Sequence, residues 1–134
     1  MWEITIMSTC PCGSGRTYDA CCAIAHKSLA NVKTAEQLMR SRYTAFTQAN
    51  GKYLLESHYS STRPITEIHE IVAWAKSVEW KQLEVIKTKE GQELDKEGTV
   101  KFKAHFIENG KADVIRENSK FVRENGCWVY LGYA

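Results

Sequence analysis

Val100-Lys101-Phe102-Lys103-Ala104-His105-Phe106 alternates apolar and polar side chains without a break. A period of two places Val100, Phe102, Ala104 and Phe106 on one face of a β-strand and Lys101, Lys103 and His105 on the other. A strand with one apolar and one polar face suits an antiparallel sheet that is covered on one side. The same period begins near Val78 and predicts four strands, over about 79–89, 99–108, 112–123 and 127–133. Glu90-Gly91 and Asn109-Gly110 mark connections, and Asn125-Gly126 reads as a tight hairpin turn. In the third strand Ile115, Glu117, Ser119 and Phe121 share a face, so a carboxylate falls on an apolar side. In the fourth, Trp128 and Tyr130 oppose Val129, Leu131 and Tyr133.

Upstream of Val78 the period is helical. Thr34 is a candidate N-cap for a helix to about residue 48. Ala35, Leu38, Met39, Arg42 and Phe46 lie on one face, with Tyr43 flanking it and Arg40 off it. Asn50-Gly51 reads as its end. A short helix is expected over Lys52 to His58, and Ser60 to Pro64 as a loop. Thr66 reads as the cap of a third helix to about Lys76, facing inward with Ile68, Ile71, Val72 and Ala75. Helices followed by an antiparallel sheet predict an α+β domain over residues 34–134, with the helices on one side of a curved sheet.

The segment Cys10-Pro11-Cys12-Gly13-Ser14-Gly15-Arg16-Thr17-Tyr18-Asp19-Ala20-Cys21-Cys22 holds four of the five cysteines. Four thiolates suit a tetrahedral Zn2+ site, and closed sulfur sites are usually structural. Pro11 stiffens the first link, while Gly13 and Gly15 let the chain fold tightly around an ion. A disulfide pair and an iron–sulfur cluster are the alternatives. His26 could replace one thiolate, or be only a neighbour on the surface. We expect Cys10, Cys12, Cys21 and Cys22 as the metal ligands, in a knuckle spanning residues 8–26. Residues 23–33 connect it to the first long helix, and Met7-Ser8 reads as an alternative start.

At 134 residues, 43% apolar and 25% charged, the chain is one domain, or one domain plus a small appendage, with enough apolar mass for a core without disulfides. It contains no apolar run approaching the roughly 20 residues of a membrane span. Residues 1–7 lack the features of a signal peptide, so a cytoplasmic location with reduced thiols is expected. The formal net charge is +2. Zinc with four thiolates adds about −2, so global charge gives no argument for nucleic acid or membrane binding.

CPCGSGRTYDACC closely resembles the SEC-C motif, named for the zinc-binding tail of the SecA translocation ATPase. Leu38-Met39-Arg40-Ser41-Arg42-Tyr43-Thr44-Ala45-Phe46 resembles the LMRSRYxAF signature of the YchJ family. Glu79-Trp80, Glu117-Asn118-Ser119-Lys120-Phe121 and Glu124-Asn125-Gly126-Cys127-Trp128 also match in kind. The resemblance implies a nuclear transport factor 2-like (cystatin-like) cone, in which helices and a curved sheet enclose a pocket. It also implies a zinc knuckle that presents a rigid surface to proteins or the ribosome. Many members carry a second SEC-C motif at the C-terminus, whereas this sequence ends at Tyr133-Ala134. The family's own reaction is undefined, so the resemblance leaves open whether the chain is an enzyme.

Two main functions follow. The first is a zinc-binding adaptor, in which the metal serves a partner surface, a structural staple, or both. The second is a small-molecule pocket lined by Tyr43, His58, Tyr59, Trp80, Glu117 and Ser119. There Glu117 acts as a base, or else pairs with Arg40 or Arg42 and braces helix against sheet. Lys101, Lys103, His105, Arg116 and Lys120 form a candidate basic stripe, although a solvated sheet face explains them more simply, and nucleic acid is not the expected partner. Pairing of related cones implies a homodimer through the open sheet face. Cys127 reads as a buried free thiol. No Ser/His/Asp spacing, phosphate loop or dinucleotide motif is present.

Overall fold

The computed structural model describes residues 9–134. The reading of Met7-Ser8 as a start, and Ser8 as the knuckle's first residue, lies outside the described residues. The four strands are β1 (Glu79–Glu90), β2 (Glu97–Glu108), β3 (Lys111–Glu124) and β4 (Cys127–Tyr133), in the order β1-β2-β3-β4. All neighbours are antiparallel. Two-residue turns fix the register: Asn109 and Gly110 have φ of 53° and 77°, and Asn125 and Gly126 have 53° and 82°. Positive φ at both central positions is the hairpin geometry that Asn-Gly pairs favour. Val100, Phe102, Ala104 and Phe106 are all buried on the face turned to the helices, as their alternation requires.

The helices are α1 (Cys22–Lys27), α2 (Ala35–Thr47), α3 (Gly51–Glu56) and α4 (Ile68–Ser77). None is long and apolar enough to cross a membrane. Thr34 caps α2 through a capping box. Its hydroxyl accepts from the Gln37 N–H at 3.1 Å, and the Gln37 side chain accepts from the Thr34 N–H at 3.2 Å. The other two expected helix signals differ. Asn50-Gly51 does not end α2 but starts α3, with the Asn50 side chain accepting from the Tyr53 N–H at 3.1 Å. The left-handed residue that closes α2 is Ala49, at φ 53°. Thr66 lies in a turn before α4, whose N-cap position is Glu67, with no side-chain cap.

The helix α2 is the axis of the molecule. One side packs on the sheet through Leu38, Met39 and Tyr43. The other side, with Ser41, Thr44 and Ala45, is also buried, beneath the cysteine segment, α1 and α3. At the far edge of the sheet, the Ser57–Tyr59 segment pairs with β4. The Tyr130 N–H donates to the Ser57 carbonyl at 2.8 Å, and the Tyr59 N–H donates to the Tyr130 carbonyl at 2.9 Å. That edge is therefore covered rather than open.

Candidate metal centre and cleft

The cysteine segment turns back on itself, with Thr9 bridged to Thr17 and the Cys10 N–H donating to the Arg16 carbonyl at 2.7 Å. A short 3-10 turn over Tyr18–Ala20 then delivers Cys21 and Cys22 to the start of α1. The four sulfurs of Cys10, Cys12, Cys21 and Cys22 lie within 4.8 Å of one another. Thiolates about 2.3 Å from a tetrahedral zinc would stand about 3.8 Å apart. The Cys12–Cys21 separation is 3.6 Å, so the donor set and its spacing fit such an ion. None of the five cysteines is in a disulfide.

Hydroxyl and guanidinium groups surround the sulfurs. Thr44 on α2 donates to Cys22 Sγ at 3.3 Å, and Ser14 donates to Cys21 Sγ at 3.2 Å. Arg16 reaches Cys21 Sγ at 4.0 Å. Arg40 donates to the Cys12 carbonyl at 2.6 Å while holding Glu36 at 2.9 Å. The hydroxyl donors and the guanidinium groups would offset the excess negative charge of four thiolates if a divalent ion were bound. A hydrogen bond from Cys22 holds the Cys12 thiol down at about 4 and pushes Cys22 far up, while burial raises Cys21. Cys12 thus gives up its proton more readily than Cys21 or Cys22.

His26 is not placed as a substitute ligand. Its Nε2 donates to the Ser41 carbonyl at 2.8 Å, so its Nδ1 accepts from the Tyr18 hydroxyl at 2.8 Å. Nε2 thus braces α1 on α2 and Nδ1 ties α1 to the turn before it, so both nitrogens are used, and burial lowers the pKa of the ring.

A second feature lies between α2 and the sheet. One chamber of about 140 Å³ is lined by Arg42, Phe121, Ser119 and Tyr130. Its neighbour, of about 110 Å³, is lined by Tyr43, Trp74, Trp80, Ala104 and Ile115. Met39, Phe46, Phe102 and Glu117 border both. Of the six expected pocket residues, Tyr43, Trp80, Glu117 and Ser119 line this cleft. His58 and Tyr59 do not, because the backbone leaving α3 pairs with β4. The His58 ring instead stands edge-on to Tyr130, with centroids 5.2 Å apart.

Glu117 is not paired as expected. Arg40 is turned to Glu36 and the knuckle, and Arg42 is turned to α3, where its Nη1 donates to the Leu54 carbonyl at 2.9 Å and Ser57 Oγ at 2.7 Å. Glu117 Oε2 instead accepts from the Ser119 hydroxyl and, at 2.9 Å, from the Tyr130 hydroxyl. Burial, with the Glu117 contact adding to it, raises the Tyr130 pKa. Sequence reasoning missed Arg42 and Tyr130 as cleft residues; their signal was the shared inward face of Arg42 with Met39 and Phe46, and of Tyr130 with Trp128.

On the outer sheet face the basic stripe is interrupted by acids. His105 Nε2 meets Glu84 at 2.5 Å, and Lys120 meets Glu97 at 3.3 Å. This is the pattern of a solvated face. Cys127 is half-buried rather than buried.

Comparison with known proteins places both parts of the chain. The model of the family described as "YchJ, middle NTF2-like domain" matches residues 34–132, and that of the SEC-C motif matches residues 8–23. A UPF0225 protein from Vibrio parahaemolyticus is 44% identical over 124 residues, covering 92% of this chain and 73% of its own length. The solution structure of a SEC-C motif containing protein from Rhodopseudomonas palustris is 31% identical with a TM-score of 0.80, covering 93% of this chain and 96% of that one. The crystal structure of a SEC-C motif containing protein from Psychrobacter arcticus is 30% identical with a TM-score of 0.77, covering 93% and 81%.

Proposed function

The chain belongs to the YchJ family, with a SEC-C motif ahead of its nuclear transport factor 2-like domain, and from that premise we propose that it is a cytoplasmic zinc-binding protein that acts by binding rather than by catalysis. Cys10, Cys12, Cys21 and Cys22 hold the metal. The carrying observation is the placement of their sulfurs: all four lie within 4.8 Å, and three of the residues are buried against α2. Four protein sulfurs fill a tetrahedron and leave no position for a reacting water, so the ion's work is structural. It fixes the outer strip of the knuckle, with exposed Pro11, Arg16 and Asp19, as a rigid surface for a protein or ribosomal partner. A homodimer through the outer sheet face is compatible with this arrangement, because the knuckle lies on the helical side of the molecule.

The test is metal analysis of protein purified without added metal, followed by partner capture. About one zinc per chain is expected, lost in Cys10→Ser plus Cys12→Ser. Equal partner recovery by the wild type and a folded double variant would remove the adaptor role and leave the staple. A second reading, a small-molecule pocket, is favoured by the cleft between α2 and the sheet, where polar groups meet aromatic walls.

A further inference from the structure

Arg42 is the only charged residue among the buried ones described, at 9% exposure. A buried cation ordinarily sits against a carboxylate. Among the described residues, no carboxylate lies within ion-pair distance of Arg42. Nη1 is satisfied by Leu54 and Ser57, and the guanidinium carbon lies 4.7 Å from the centroid of the Tyr130 ring. Among the described residues, Nε and Nη2 have no acceptor. Among the described residues, no fully enclosed side-chain nitrogen or oxygen lacks a partner, so this free edge reaches open space, and Arg42 lines the larger chamber. Burial lowers its pKa only to about 10, so it stays charged at neutral pH.

Glu117 supplies the opposite charge from the border of both chambers. Its Oε2 is occupied by Ser119 and Tyr130, while its Oε1 accepts no bond from the described residues. The cleft therefore offers one free cationic donor edge, one free anionic acceptor and an aromatic chamber beside them. A simple carboxylate would satisfy Arg42 but face Glu117. A simple amine would satisfy Glu117 but face Arg42. A ligand carrying both charges satisfies each at once. The smaller chamber accepts an apolar side chain, walled by Tyr43 and Trp80, whose rings are edge-on at 5.7 Å.

Resting on the small-molecule reading of the cleft, we infer that it binds a small zwitterion with an apolar side chain, of the α-amino acid class. The carboxylate takes the free edge of Arg42, the ammonium takes Glu117 Oε1, and the side chain enters between Tyr43 and Trp80.

The experiment is an NMR titration of the full-length, metal-loaded protein, following the Met39 methyl group, with L-phenylalanine, 3-phenylpropionate and phenethylamine. L-phenylalanine is expected to shift Met39 saturably. Each analogue loses one charge-assisted contact and should bind about 10- to 100-fold more weakly. Glu117→Gln keeps an oxygen for Ser119 and Tyr130, so its fold is checked by the unshifted remainder of the spectrum. It should weaken L-phenylalanine by a similar factor while leaving 3-phenylpropionate no weaker. Equal binding of either analogue by the wild type, or an unchanged L-phenylalanine affinity in Glu117→Gln, overturns the zwitterion assignment and leaves the cleft reading standing. If neither these probes nor benzene moves Met39, the cleft reading falls as well.

Discussion

At Thr44 one hydroxyl joins the two halves of the protein. It lies on α2, donates to Cys22 Sγ at 3.3 Å and stands 3.7 Å from Cys10 Sγ. Hydrogen bonds to metal-bound thiolates hold the ligands in place and stabilise their charge. Thr44→Val keeps the shape and removes the donor, so it should retain zinc but bind it about 10-fold more weakly, as measured by competition with a chromogenic chelator. An unchanged affinity would mean that the backbone alone sets the site. His26 and His58 make a second prediction at this scale. Burial depresses both, His58 to about 4, with Arg42 and Arg63 adding to its shift. The unfolded chain then binds more protons below the ordinary histidine value of about 6.5. Stability from these residues is complete above that value and is lost as pH falls from it through about 4 for His58. Denaturant melts at about pH 7.5 and about pH 5 should show the loss, and His58→Gln should reduce it. An equal loss in the variant would assign the acid sensitivity to other groups.

The elements meet most tightly where β2 leaves the β1–β2 connection. Gly91 has φ 75°, and its carbonyl accepts from the Ala35 N–H at 2.9 Å, at the start of α2. A Cβ on Gly98 would stand 2.4 Å from Gly91 Cα, which is backbone and cannot swing away. Gly98→Ala should therefore destabilise the domain by about 1–3 kcal/mol in chemical denaturation, with near-wild-type stability as the refuting result. Loss of the α2 cap in Thr34→Ala is a smaller effect, about 1 kcal/mol. This junction also marks how far the sequence could be read. All four strands and the Asn-Gly turns were legible because a period of two and positive-φ residues are local signals. The core face of α2 was legible for the same reason. Its second buried face was not, because Ser41, Thr44 and Ala45 are small or polar and carry no hydrophobic period. They are buried because the knuckle, α1 and α3 cover them, and that covering is a tertiary fact. Of the six candidate pocket residues, Tyr43, Trp80, Glu117 and Ser119 line the cleft, as their strand and helix faces direct. His58 and Tyr59 lie outside it because pairing with β4, rather than helical phase, sets their direction.

For the whole molecule, the arrangement decides whether the knuckle is an appendage or part of the core. Cys10, Cys12 and Cys22 belong to the same buried cluster as Leu38, Tyr43, Phe102 and Trp128. Without a metal, gathering four sulfurs requires protonated thiols to stay packed, and the hydrogen bond between Cys12 and Cys22 holds the first thiol down and pushes the second up. A divalent ion would remove that conflict by taking all four as thiolates, and its binding energy would become folding energy. If the knuckle were separate, chelation would unfold only residues near it. Because it covers the outer face of α2, chelation should instead lower the melting of the whole domain, including the sheet. Amide exchange distinguishes the cases: removal of metal should speed exchange at Phe102 and Phe121 in the sheet as well as at Ala25 in α1. Faster exchange confined to residues before Thr34, with the sheet unchanged, would make the zinc site a local clip rather than a determinant of the domain's stability.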